Sequence, residues 1–305
     1  MLIEMLSSSL LITENYIETV AKTASSRYKK FAIPKKNGKF RHIHQPAREL
    51  KALQRIIHDE VLSRLSIHDA ACAYKAKSKI LDHASKHQKA KYLLRLDFKN
   101  FFESIRESDI ADFANNEIRN IIPNWSHEDT SLLTALTCLN FHLTIGSVSS
   151  PALSNAICYE MDEKITALCN TLNITYTRYA DDLYFSCTAE NILPTIPTEI
   201  KKIIRELKYP KNLWLNLDKT VHSSHKRSMK ITGLTLTNSG AISIGREKKR
   251  KTKSLIHNWK TITTEQKSYL SGYLAYCSSV EPNFINTLCA KYGAQLISEI
   301  LKHKK

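Results

Sequence analysis

Two adjacent carboxylates, Asp181 and Asp182, interrupt the strand-like run RYADDLYFS, and a third, Asp97, ends the apolar stretch YLLRLD. An ionised carboxylate at the end of a buried strand is costly to leave unpaired, and a cation removes that cost. Three such groups converging from two neighbouring strands would hold two Mg²⁺ ions. A metal pair of that kind activates an attacking hydroxyl and stabilises the leaving oxygen in phosphoryl transfer. Magnesium keeps several waters and uses few protein carboxylates beside substrate phosphates, so three aspartates suffice. On its own, the Asp-Asp step also suits a solvated turn, because Asp is a good turn former.

The elements that must position these groups are legible around them. ITYTRYA before the pair and LYFSC after it are rich in β-branched and aromatic residues, which predicts a hairpin with the aspartates at its turn. Residues 31–46, FAIPKKNGKFRHIHQP, read as two short strands joined by Lys36-Asn37-Gly38-Lys39, since Asn-Gly is a strong hairpin signal. Lys35, Lys36, Lys39 and Arg41 around that turn would grip a triphosphate, though by itself the run reads first as a solvated charged turn. His42 and His44 alternate there as on an exposed strand face. RELKALQRIIHDEVLSRL keeps helical apolar spacing. Residues 106–140 read as mainly helical, and a long helix is expected after Pro151, which is tolerated at a first helical turn. A helix near 194–207 follows, then short strands around WLNLDKT and KITGLTLTNSGAISI, and a basic helical end from Arg246. The fold class expected is α+β with a helical carboxy-terminal piece.

Composition narrows the partner. The 305 residues hold 45 Lys and Arg against 29 Asp and Glu, a net charge of +16, which favours a polyanion such as nucleic acid or an anionic surface. No apolar run approaches the ~20 residues a membrane span needs, so no membrane partner is expected. The amino terminus MLIEMLSSSLLITENY lacks a basic segment and reads as an amphipathic helix rather than an export signal. Seven scattered cysteines with no CxxC fit reduced thiols in a cytoplasm and argue against a structural zinc site. No HExxH occurs among the twelve histidines.

Taken in order, IPKKNGKFRHI, LRLDFKNFFESI, GSVSSPALSN, YADD and LNLDKT resemble the sequence blocks of reverse transcriptases. They span residues ~31 to ~245. The resemblance implies a right-hand polymerase of fingers, palm and thumb, with an antiparallel palm sheet. Fingers and palm would occupy residues 1–232, and an RNA-binding thumb residues 233–305. It implies that Asp97, Asp181 and Asp182 are catalytic and metal-binding, that Lys35 and Arg41 meet the nucleotide phosphates, and that Phe102 is the aromatic gate that excludes a ribose 2′-OH. Phe101 would then be a core aromatic. Ile145 stands where most of the family place Gln before the Gly.

ITGLTLTNSGAISIGREKKRKTKSLIH resembles the VTG region of bacterial retron reverse transcriptases, with Ile231 for Val. AYKAKSKILDHASKH resembles their NAxxH region, with His83 for Asn and His87 retained. The compact length also suits a retron better than a group II intron enzyme with a maturase domain. Membership would imply synthesis on a structured noncoding RNA (msr-msd) from dNTPs, primed from the 2′-OH of an internal guanosine, giving branched msDNA. Separate effector proteins and a role in antiphage defence would follow. The run REKKRKTK, with Lys248, Lys249, Arg250 and Lys251, would grip RNA by its backbone and shape, or form a solvated basic helix. Two rival readings are an abortive-infection-type polymerase and an idle RNA-binding module. The retron-like ITG and HAxxH regions disfavour the first, though each departs from the family by one residue, and three clustered carboxylates argue against the second.

Overall fold

The computed structural model describes residues 1–34, 38–226 and 228–303. Nine strands alternate with helices: β1 (Tyr28–Pro34), β2 (Phe40–Pro46), β3 (Tyr92–Asp97), β4 (Thr175–Tyr179), β5 (Asp182–Cys187), β6 (Val221–Ser224), β7 (Met229–Ile231), β8 (Leu234–Leu236) and β9 (Ile242–Ser243). Three sheets result, ordered β1-β2, β4-β5-β3-β6 and β7-β8-β9. The chain is α+β with antiparallel hairpins, as expected. It divides into two compact units. One takes residues 1–77, 94–185 and 191–221, the other residues 78–93, 186–190 and 222–305.

In the first unit, β1 and β2 pair from Tyr28↔Pro46 to Pro34↔Phe40. Lys35, Lys36 and Asn37 lie outside the described residues, so the expected turn is represented by Gly38 at φ +77° and Lys39. The helix Arg48–Glu60 buries Leu50, Leu53 and Ile57, the apolar stripe its spacing predicts. Its buried Gln54 is fully used. Nε2 donates to Tyr28 Oη (2.9 Å) and the Leu136 carbonyl (2.8 Å), and Oε1 accepts from Ser147 Oγ (3.0 Å) and Val148 N (3.2 Å). This fastens the loop 145–149, which also receives His44 N on the Ile145 carbonyl at 2.8 Å. Residues 106–140 are helical in pieces, including a π-turn at Ala114–Ile118.

Two expectations need correction. The helix after Pro151 is not continuous: Ser150–Ile157 and Tyr159–Thr171 are separate helices that break at Cys158. The break leaves Asn155 and Asp162 both inward and fully buried. Nor is LNLDKT strand-like. Leu215 makes one antiparallel bridge to Phe98, and Leu217–Lys219 then closes as a 3₁₀ turn.

The second unit carries the β7-β8-β9 meander and four carboxy-terminal helices, Arg246–His257, Thr264–Val280, Pro282–Tyr292 and Ala294–Lys302. Their buried residues are Thr252, Ile256, Leu270, Leu274, Cys277, Val280, Phe284, Leu288, Ile297 and Ile300. Thr263 caps the second of these helices in a reciprocal box with Gln266. All seven cysteines are free thiols, six of them buried. No helix among the described residues is long and apolar enough to cross a membrane.

Two glycines should respond oppositely to Ala. At Gly146, φ is +107° and a Cβ would lie 2.7 Å from the His44 carbonyl oxygen and 2.8 Å from Ile43 Cγ2. Gly146→Ala should therefore cost roughly 2 to 4 kcal/mol and lower the melting midpoint. At helical Gly272 a Cβ meets nothing within 4 Å. Gly272→Ala should raise the midpoint, by the equivalent of roughly 0.5 to 1 kcal/mol. Equal shifts in thermal melts would contradict this packing.

Candidate active site

The site grows from β3. Leu94 and Leu96 are buried, and the strand delivers Asp97 to its end, 7% exposed. One residue on, Phe98 N donates to the Asp181 carbonyl at 3.0 Å. That bond sets the YADD turn against the end of β3. Asp181 occupies the turn and Asp182 opens β5, as the hairpin reading expects.

Burial, followed by the negative charge of Asp97, raises the Asp181 carboxyl above its ordinary range, while Lys219 and Arg41 oppose the shift. Asp182 is pushed up to about 6, first by burial and then by Asp181 beside it. Arg95 and a 3.4 Å hydrogen bond donated by Tyr184 oppose this only in part, because Arg95 Nε stands 3.9 Å from Asp182 Oδ1. The three aspartates thus act on one another electrostatically in a setting short of positive charge.

Lys219 supplies some of that charge. Its Nζ donates to Asp97 Oδ1 at 2.8 Å and Oδ2 at 2.9 Å, and Asn216 adds Nδ2 to Oδ1 at 3.4 Å. The segment is held there by Asn216 N on the Asp97 carbonyl (2.7 Å) and Lys99 N on the Trp214 carbonyl (2.8 Å). Sequence reasoning read LNLDKT as a short strand and a resembling block and missed the Lys219 contact. Among the described residues, no three His, Cys, Asp or Glu side chains form a ready-made metal cage. The donor set still suits magnesium, which takes few protein carboxylates and completes its shell with water and phosphate. Buried carboxylates whose charged forms are disfavoured are the groups a divalent ion would stabilise.

Arg41 is exposed on β2, opposite Ile33, and its charge is felt at Asp181 and at Tyr74. Lys35 lies outside the described residues. Phe101 is buried and stacks on Phe98 with centroids 5.7 Å apart. Phe102 is half-buried, tilted 59° from Phe101 at 5.4 Å, so the two rings divide into a core and a surface member. Ile145 accepts the backbone bond from His44 N through its carbonyl.

A network beside the turn was not anticipated. Arg178 and Asp162 are both fully buried. Arg178 Nε reaches Asp162 Oδ1 and Oδ2 at 2.9 and 3.0 Å, and Nη2 reaches Oδ2 at 2.6 Å. Tyr176 Oη donates to the same carboxylate at 2.8 Å. Arg178 Nη1 donates to Asn155 Oδ1 at 3.1 Å and, more distantly, to the Ala180 carbonyl at 3.4 Å. A charged residue at the inward position of an apolar strand was the available signal.

In the second unit, the basic run lies on the helix Arg246–His257, and most of its candidates have partners within the unit. Lys248 Nζ donates to the Gly233 carbonyl at 2.9 Å. Lys249 Nζ donates to Glu281 Oε1 at 2.5 Å and sits 5.3 Å from the Phe284 ring centre. Lys251 lies 5.2 Å over Tyr269, and Arg250 is exposed. His83 and His87, the retron-like pair, are buried with ring centres 5.8 Å apart, and His87 Nδ1 shares a hydrogen bond with Ser186 Oγ at 2.7 Å.

Residues 33–236 match the family described as reverse transcriptase (RNA-dependent DNA polymerase). The chain is 33% identical over 295 residues to the retron Ec83 reverse transcriptase of Escherichia coli, covering 92% of each chain. It is 31% identical over 305 residues to the retron Ec73 enzyme of the same organism, covering 96% and 95%. In fold it is similar to an apo telomerase from Candida tropicalis truncated from its C-terminal domain. That match has a TM-score of 0.50 and 16% identity, over 75% of this chain and 58% of the other. The chain belongs to the reverse transcriptases, with their right-hand polymerase fold and RNA-directed DNA polymerase activity, and within them to the bacterial retron enzymes.

Proposed function

We propose that this enzyme copies a structured noncoding RNA (msr-msd) into msDNA, primed from the 2′-OH of an internal guanosine. In this reading Asp97, Asp181 and Asp182 hold two Mg²⁺ ions. The observation that carries the site assignment is the Phe98–Asp181 backbone bond, which brings the YADD turn to the end of β3 beside Asp97. Bound magnesium would neutralise charge at the reacting phosphate and activate the attacking hydroxyl. The chain's own groups do the rest. Lys219 pairs with Asp97 and stands in for part of the metal charge. Arg41 and Lys35 meet the triphosphate of an incoming dNTP. The half-buried Phe102 ring excludes a 2′-OH by contact. Residues 1–232 form fingers and palm, residues 233–305 a thumb that grips RNA. Free, mostly buried thiols support work in the cytoplasm. Separate effector proteins would couple the product to antiphage defence.

The nucleic acid that copurifies with the expressed protein tests this reading. Wild-type enzyme should carry a ribonuclease-sensitive RNA covalently branched to DNA. Asp181→Asn or Asp182→Asn should carry the RNA without DNA, because losing a metal ligand raises the barrier by at least ~4 kcal/mol, about a thousandfold in rate. DNA synthesis by either variant at near-normal rate would sink the assignment.

Sugar choice is read by primer extension with rNTPs against dNTPs. Phe102→Val or Phe102→Ala should raise ribonucleotide incorporation, and an unchanged preference would return Phe102 to a packing role.

On the basic helix, Arg250→Gln with Lys251→Gln should weaken cognate RNA binding. Each lost phosphate contact should flatten the slope of log affinity against log salt by roughly 0.7 to 0.9. Extension on a generic primer–template should fall much less. Lys249→Gln should also lower the melting point, because it removes the counter-charge of the partly buried Glu281. An unchanged salt slope in the double variant would assign the run to solvation alone.

A further inference from the structure

We infer that Arg178 is a positioning residue of the polymerase site: with Asp162 and Asn155 it sets the turn that presents Asp181 and Asp182. The inference rests on the proposed role of those carboxylates. Ala180, between Arg178 and the acidic pair, has φ +56°, in the left-handed region that a non-glycine residue adopts only under constraint. Its carbonyl lies within reach of Arg178 Nη1. The guanidinium is therefore bound on one edge to Asp162 and on the other to Asn155 and the turn.

The same residue fixes a second wall of the site through its backbone. Arg178 N donates to the Ala70 carbonyl and Cys72 N to the Arg178 carbonyl, both at 2.7 Å. Asn155 Nδ2 donates to the Ala73 carbonyl at 2.9 Å. The next residue, Tyr74, has φ +60°, and its phenol feels the charge of Asp181. Arg178 thus ties the acidic turn and the Tyr74 segment to the helices Ser150–Ile157 and Tyr159–Thr171 at one buried point.

Stability alone does not account for this construction. A buried ion pair is commonly replaceable by apolar residues of similar volume at little or no cost. Apolar packing cannot reach Asn155 Oδ1 and the Ala180 carbonyl in fixed directions, whereas a planar guanidinium can. Lysine keeps the charge but loses the fork. The function left to the fork is orientation, to which the rate of a metal-assisted step is steeply sensitive.

The test uses full-length Arg178→Lys, Asn155→Ala and, as control, Asp181→Asn. Melting curves set a temperature at which each is folded, and extension kinetics and metal-free amide exchange are measured there. Both positioning variants should lose at least ~10-fold in kcat per folded molecule, with the dNTP KM within ~2-fold of wild type. Amide exchange should accelerate at residues 179–183 while helix Tyr159–Thr171 stays protected. If Arg178→Lys does not fold, Asn155→Ala decides. Wild-type kcat per folded molecule, or faster exchange spread evenly over the first unit, would overturn the inference. An inactive Asp181→Asn beside fully active positioning variants would refute Arg178 alone, whereas an active Asp181→Asn would refute the site assignment itself.

Discussion

Negative charge gathered where two strands end is the constraint on which the rest of this molecule turns. Asp97 is nearly buried, and burial with mutual repulsion lifts Asp181 and Asp182 out of the usual carboxylate range. Such a cluster persists only if the surrounding fold over-determines it. The apolar core of β3 fixes Asp97, the Phe98–Asp181 bond fixes the turn, and the 3₁₀ turn at Leu217–Lys219 brings a compensating ammonium. The loop 145–149 is secured as tightly, by Gln54 and by a glycine that lets it approach the β2 backbone. Rigidity here has a physical purpose, since preorganised charge is what lowers the barrier in a phosphoryl-transfer site.

Much of this was legible in the residues. The two hairpins, the helix Arg48–Glu60 and the place of the three aspartates all follow from local alternation, turn chemistry and apolar spacing. Phe101, expected in the core, is buried, and Phe102, expected as the gate ring, is half-buried. What escaped depends on partners distant in sequence. Lys219 lies 122 residues from Asp97, and Arg178 is 16 from Asp162 across a helix and a strand. Local pattern can mark Arg178 as unusual but names neither distant partner. The helix break at Cys158 escaped for a related reason: nothing in SNAICYEMD is a strong breaker, and burying Asn155 and Asp162 together outweighs continuity.

The basic helix illustrates why a run of charge is a poor map of a binding surface. Lys248 caps a carbonyl, Lys249 neutralises Glu281, and Lys251 lies on a tyrosine, so charge that looks surplus in sequence is partly consumed in holding the second unit together. Glu281 also accepts from Ser243 Oγ and Ile244 N. That makes Glu281 a fastener between the β7-β8-β9 meander and the helices, with Lys249 as its counter-charge. Arg250 is exposed on the same helix.

The central claim is that the carboxylate cluster is a metal site in which Lys219 stands in for the ions. The most direct measurement is anomalous diffraction from crystals soaked with Mn²⁺ in the presence of a chain-terminated primer–template and a matching dNTP. The account predicts anomalous density bonded to Asp97 and Asp181, with Lys219 withdrawn from Asp97. Lys219 still seated on Asp97, and no density at the cluster while dNTP is bound, would contradict it.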